Sequence, residues 1–149
     1  MKPISDMTEN ELAQAAGEAM FREDLCSRGL GIEVLSVSPG EATIRMAVRE
    51  DMVNGHGTCH GGMIFTLADS CFAFACNSRN QSTVAFSCTI DFVRPANLGD
   101  VLTAVGREIS LLGRNGIYDI AVTNQDGEEV AQFRGRSRAI PGTVTGGID

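Results

Sequence analysis

Between Gly61 and Cys76 apolar residues fall on every side of a helical wheel: Met63, Ile64, Phe65, Leu67, Ala68, Phe72, Ala73 and Phe74. A helix without a polar face has to be buried by the rest of its fold. The flanking stretches have other periods. Thr8 and Glu11 stand at capping-box spacing, and Ala13, Ala16, Met20 and Phe21 follow at helical intervals until Gly29 and Gly31, which predicts a helical extension over about 8–28. "IEVLSVSPGEATIRMAV" reads as two short strands turning at Ser38-Pro39-Gly40. Beyond the apolar helix, which Asn77 and "SRNQS" end, the chain is β-rich: "TVAFSCTIDFVRP", "DVLTAVGREISLLG", "IYDIAVTNQ" and "EEVAQFRGRSRAI", with a hairpin turn at Asp126-Gly127. The expected order is helix, two strands, one buried helix, then three to four antiparallel strands in a row, with a ragged tail over about 142–149. A curled sheet wrapped around the central helix explains why that helix lacks a polar face. The fold class is α+β, in a single domain over 1–149.

Composition narrows the function. The 149 residues suffice for one core, and no run of about 18 apolar residues suggests a membrane span. The polar, acidic start is unlike a secretory signal. A net charge of −7 disfavours nucleic acid as a partner. Lys2 is the only lysine against eleven arginines, so Schiff-base chemistry on an internal lysine and a P-loop are both excluded. Five cysteines without a CxxC pair read as free thiols in a cytoplasmic protein.

From Gly61 to Ser78 one side chain is charged, Asp69. A carboxylate in an apolar helix is either satisfied by neighbouring amides or hydroxyls, such as that of Ser70, or functional. Gly61-Gly62 is either a tight turn into the helix or a place where the first helical amides meet a ligand oxygen that becomes negative. Asp69 lies eight residues on, about 12 Å along a helix axis. One small reacting group cannot touch both ends of that span in one subunit. If Asp69 and Gly61 share a site, two helices from two chains have to run side by side in opposite directions.

The remaining candidates are less specific. His60 can cap the helix or bond a ligand carbonyl. Asn54 is a turn residue or orients water or substrate. His56, Cys59 and His60 are too crowded for a zinc site and have no second cluster. Adjacent Cys59-His60 side chains diverge, which disfavours a nucleophile–base pair, and no G-x-S-x-G elbow occurs. Arg134, Arg136 and Arg138 share one strand face, with Arg94 and Arg114 at strand ends. These arginines either hold phosphates or protect a solvated edge.

"NGHGTCHGGMIFTLADSCFAFACNS", "CTIDFVRPANLGD" and "FRGRSRAI" together closely resemble the PaaI-type acyl-CoA thioesterases of phenylacetate degradation, from about residue 20 to about 146. The resemblance implies a hotdog fold, assembly as a homodimer or homotetramer with sites between subunits, and no metal or cofactor, coenzyme A being part of the substrate. It places Asp69 as the catalytic carboxylate and Gly61 as the backbone oxyanion donor. Asn54 and His60 fall near the thioester, and Ser70, also expected among the catalytic residues, stands where the family often has threonine. Gly62, Phe65, Arg94, Arg114 and Arg136 are the expected substrate-binding residues, and Met63 and Phe72 are further candidates for the pocket lining. The implied substrates are coenzyme A thioesters of phenylacetate and its ring-hydroxylated relatives. A hotdog hydratase or dehydratase, and a non-catalytic acyl-CoA binding module, are the rival readings.

Overall fold

The computed structural model describes residues 2–146. Helix α1 (Glu9–Glu23) starts on the predicted capping box: the Thr8 side chain accepts from the Glu11 amide and the Glu11 carboxylate from the Thr8 amide. The extension is two helices rather than one. Asp24 leaves the helical region and caps α2 (Leu25–Gly29), its Oδ1 accepting from the Ser27 amide at 2.9 Å. Strands β1 (Glu33–Ser38) and β2 (Glu41–Ala47) meet at the expected turn, where Gly40 takes a φ of 75°. Helix α3 (Gly61–Cys76) is followed by β3 (Gln81–Phe92), β4 (Val101–Leu112), β5 (Asn115–Thr123) and β6 (Glu129–Thr143).

The six strands form one antiparallel sheet in the order β1-β2-β4-β5-β6-β3, curled around α3 in the hotdog arrangement. Only β4, β5 and β6 form the expected row. The link from β3 to β4 is not a hairpin but an eight-residue crossing, pinned where the Cys59 amide donates to the Ala96 carbonyl at 2.8 Å. It carries β4 across to β2 and leaves β3 at the far edge, beside β6.

The two edges differ. β1 is short, bulged between Val34 and Ser36, and packed by α1. β3 has twelve residues, no neighbour on its outer side among the described residues, and Val84, Phe86 and Phe92 exposed along it. A long apolar edge is a template for pairing with another chain.

Inside the curl, α3 buries Ile64, Leu67, Ala68, Cys71, Phe72, Phe74 and Ala75. The expected all-round burial is incomplete. Gly62, Thr66, Asp69, Ala73 and Cys76, at i, i+4, i+7, i+11 and i+14, form one stripe that the chain leaves exposed or half-covered. Phe72, expected as a candidate for the pocket lining, is core instead: its ring meets Tyr118 and Phe133 at 5.7 and 5.9 Å and lies flush against Gly135. A Cβ at Gly135 would sit 2.7 Å from that ring, and buried Phe72 has nowhere to retreat. Gly135→Ala is therefore expected to lower the unfolding free energy by about 1–3 kcal/mol, read from urea melts.

The tail is ordered further than expected. β6 runs to Thr143, and buried Thr145 closes on Asn80: its amide donates to Oδ1 and its hydroxyl accepts from Nδ2, each at 3.0 Å. Residues 147–149 of the expected ragged tail lie outside the described residues.

Candidate active site

The start of α3 is held from both sides. The His60 amide donates to the Met52 carbonyl at 2.7 Å, and Cys59 is tied to Ala96. His60 is the N-cap: its Nδ1 accepts from the Gly62 amide at 2.8 Å, so in the neutral ring the proton sits on Nε2. The Met63 and Ile64 amides turn back to the His60 carbonyl. Among the described residues nothing accepts from the Gly61 amide. It is the one first-turn donor left open, at the positive end of the helix dipole.

Gly61 opens on a cleft of about 280 Å³ lined by Thr58, Ile64, Phe92, Val93 and Arg94, among others. A Cβ at Gly61 would come within 3.1 Å of the Phe92 ring. Glycine here lets the ring and a ligand approach the backbone together. The sequence marks Phe92 only as a strand residue, because the contact depends on how β3 ends over the helix start.

Asp69 lies on the uncovered stripe. No described side chain or amide donates to its carboxylate; Ser70, the expected neighbour, bonds Ser27 instead. Burial pushes the Asp69 carboxyl above its ordinary value. Its charge is felt by two thiols, Cys76 two positions further along the stripe and Cys88 on β3. Burial first and that charge after it hold both thiols up, Cys76 to about 12. Cys88 is a neighbour the sequence did not disclose, since the pairing of β3 with β6 is needed to bring it over α3.

The other candidates divide. Asn54 organises its loop: its Oδ1 accepts from the His56 and Thr58 amides at 2.9 and 3.2 Å, which leaves Nδ2 free to donate. His56 is exposed on that loop. Burial raises the Cys59 thiol, with Asp100 adding to it, so a thiolate nucleophile is disfavoured there. Among the described residues no group of three metal-ligating side chains converges. Phe65 is half-buried, edge-on to Phe133 at 5.4 Å.

Of the expected phosphate-binding arginines, Arg94 alone lines the Gly61 cleft, paired with Glu128 at 3.2 Å. Arg114 donates to the Ala139 carbonyl near the β4–β5 turn. Arg136 lies on the outer face of the sheet, opposite the side on which Gly135 meets the helix. These three are not brought together within one chain. Arg134, on the same outer face, is committed to Asp119 by two bonds at 2.6 and 2.8 Å.

A family model described as the thioesterase superfamily matches residues 56–131, the stretch from the Asn54 loop through α3 to the start of β6. Acyl-coenzyme A thioesterase PaaI of Escherichia coli (strain K12) is 48% identical over 128 residues, covering 86% of this chain and 91% of that protein. Among solved structures, the E. coli PaaI protein from the phenylacetic acid degradation operon superposes with a TM-score of 0.90 at 44% identity, covering 91% of this chain and 99% of that one. The protein smu.793 of Streptococcus mutans UA159, solved bound to acetyl CoA, superposes with a TM-score of 0.73 at 27% identity, covering 75% of this chain and 90% of that one.

Proposed function

The chain belongs to the thioesterase superfamily, and on that premise we propose that it hydrolyses a coenzyme A thioester of an arylacetic acid, phenylacetyl-CoA or a ring-hydroxylated relative, at a site shared by two subunits. The observation that carries this reading is the unpartnered Asp69 carboxylate on the uncovered stripe of α3, with the open Gly61 amide about 12 Å along the same helix. Two protomers with antiparallel α3 helices bring each Asp69 to the other's Gly61. The long apolar edge of β3 supports pairing on that side, whether the assembly is a dimer or a tetramer.

In this arrangement the thioester carbonyl oxygen accepts from the Gly61 N–H, which meets the negative charge as it develops. Asp69 of the partner subunit attacks the carbonyl carbon or takes a proton from the attacking water. The C–S bond breaks, coenzyme A leaves as the thiol, and water supplies the oxygen of the carboxylic acid. His60 Nε2–H and Asn54 Nδ2 are further donors available to the substrate carbonyl, since the bonds of these side chains use His60 Nδ1 and Asn54 Oδ1. Arg94 is the arginine placed to meet the acyl-CoA, whereas Arg114 and Arg136 reach it only from elsewhere in an assembly. Aryl selectivity draws support from the naming of the E. coli relative after phenylacetic acid degradation. Thioester chemistry draws support from that relative's name and from acetyl CoA in the streptococcal neighbour. The five free cysteines fit a cytoplasmic setting.

The test is free-thiol release from a panel of acyl-CoA esters. Phenylacetyl-CoA and hydroxyphenylacetyl-CoA are expected to release coenzyme A faster than acetyl-CoA. Loss of an enoyl double bond without thiol release would identify a hydratase, and tight binding without any product a carrier module. Either result would displace the thioesterase reading.

A further inference from the structure

Ser70, expected at the reacting centre, has its hydroxyl turned away from Asp69. Its Oγ lies 2.9 Å from the Oγ of Ser27, which is fully buried. The Ser27 hydroxyl in turn donates to Asp24 Oδ2 at 2.5 Å, while Asp24 Oδ1 accepts from the Ser27 amide. A serine hydroxyl carries one hydrogen. With that hydrogen on the Asp24 carboxylate, the hydrogen between the two serines belongs to Ser70. The direction is thereby set: Ser70 donates to Ser27, and Ser27 donates to Asp24.

This chain of bonds joins α2 to the middle of α3. Ser70 follows Asp69 by one residue, about 100° around the helix. Pinning Ser70 on one side therefore fixes the rotation of α3 that aims Asp69 on the other. Among the described residues Asp69 has no hydrogen bond of its own to aim it. A second contact backs the link, with the rings of Phe21 on α1 and Phe74 on α3 at 6.4 Å. Both helices of the extension lie outside residues 56–131, the stretch that the family model matches.

We propose that Ser70 and Ser27 are positioning residues, through which the N-terminal helices, anchored at Asp24, hold the Asp69 carboxylate in its working orientation. The proposal rests on the thioesterase reading above. It assigns Ser70 no contact with substrate.

The test is steady-state thiol release by Ser27→Ala, Ser70→Ala, Asp24→Asn, the double variant Ser27→Ala/Ser70→Ala, and Ser70→Thr. Asp24→Asn keeps an oxygen for the Ser27 amide but places an NH₂ where Oδ2 accepted, which reverses the direction of the bonds and frees the Ser70 hydrogen. Ser27→Ala, Ser70→Ala and Asp24→Asn are each expected to lower kcat about tenfold with KM within about twofold. The double variant is expected to be no slower than the slower of its two singles, and Ser70→Thr to retain wild-type kcat. Multiplying effects in the double variant would mean that Ser70 acts on substrate independently, and would overturn the proposal. So would a Ser27→Ala or Asp24→Asn enzyme with unchanged kcat. If Ser27→Ala fails to fold, Asp24→Asn paired with Ser70→Ala gives the same cycle. A wild-type protein that releases no thiol would sink the thioesterase reading and this inference together, whereas wild-type turnover with multiplying variants sinks this inference alone.

Discussion

Asp69→Asn is expected to cut kcat for thioester hydrolysis by about a thousandfold while the protein melts at the same temperature or higher near neutral pH. Asparagine keeps the shape of the side chain and removes its capacity to act as nucleophile or base. The stability half follows from the raised pKa of a carboxyl that burial desolvates. The folded state holds the Asp69 proton more tightly than the unfolded chain does. Between the ordinary carboxylate value and the raised folded value, the unfolded chain releases its proton first, so stability falls as pH rises through that window. Above the folded value the penalty is constant, and asparagine never incurs it. The advantage of the variant should therefore be full above the raised folded value and vanish below the ordinary carboxylate range. The acid limb of kcat/KM in the wild type should likewise lie above the ordinary carboxylate value, since Asp69 works only when ionised. Calorimetry across pH and thiol-release kinetics measure the two halves separately. A variant that turns over at the wild-type rate would remove Asp69 from the mechanism.

The second large effect is a recovery. Gly61→Val blocks the amide with a side chain that meets the Phe92 ring, and Asp69→Asn removes the carboxylate; each homodimer should be inactive. Mixed and re-associated, the two should regain about a quarter of wild-type activity. Half of randomly formed dimers are mixed, and each mixed dimer holds one site with both groups intact and one with neither. A site within a single subunit predicts no recovery at any mixing ratio. Size-exclusion chromatography of the mixture confirms that re-association has taken place.

The parts of the molecule legible in the sequence were those decided by neighbours along the chain. The Thr8 capping box, the Gly40 turn, the start of α3 at Gly61 and its end at Asn77 depend on residues a few positions apart. Asp69 stood out because nothing around it was charged. What depends on distant pairing was hidden. The place of β3 beside β6 was decided by the path of residues 93–100, so Cys88 near Asp69 and Phe92 over Gly61 could not be foreseen. Ser27 gave no signal: in "DLCSRGL" it resembles an ordinary surface position, and its meaning comes from Ser70, 43 residues away. Phe72 and Phe65 are both aromatic on the same helix, and only the position of Gly135 shows that Phe72 belongs to the core. The carboxylate was legible, but the serines and strand that surround it were not.

The strand order also dictates a sequence of events in folding. Within one chain β3 has a single sheet neighbour, β6, and β4 and β5 are synthesised between the two. The α1–β2 half and the β4–β5 hairpin can form from local contacts, but β3 has to wait with its backbone donors and acceptors unpaired until β6 arrives. The closure of Thr145 on Asn80 comes later still, since it needs residues beyond β6. The wall beside Asp69 is thus the last part of the domain to be built, and a nascent chain that stalls before β6 presents this apolar strand to whatever it meets.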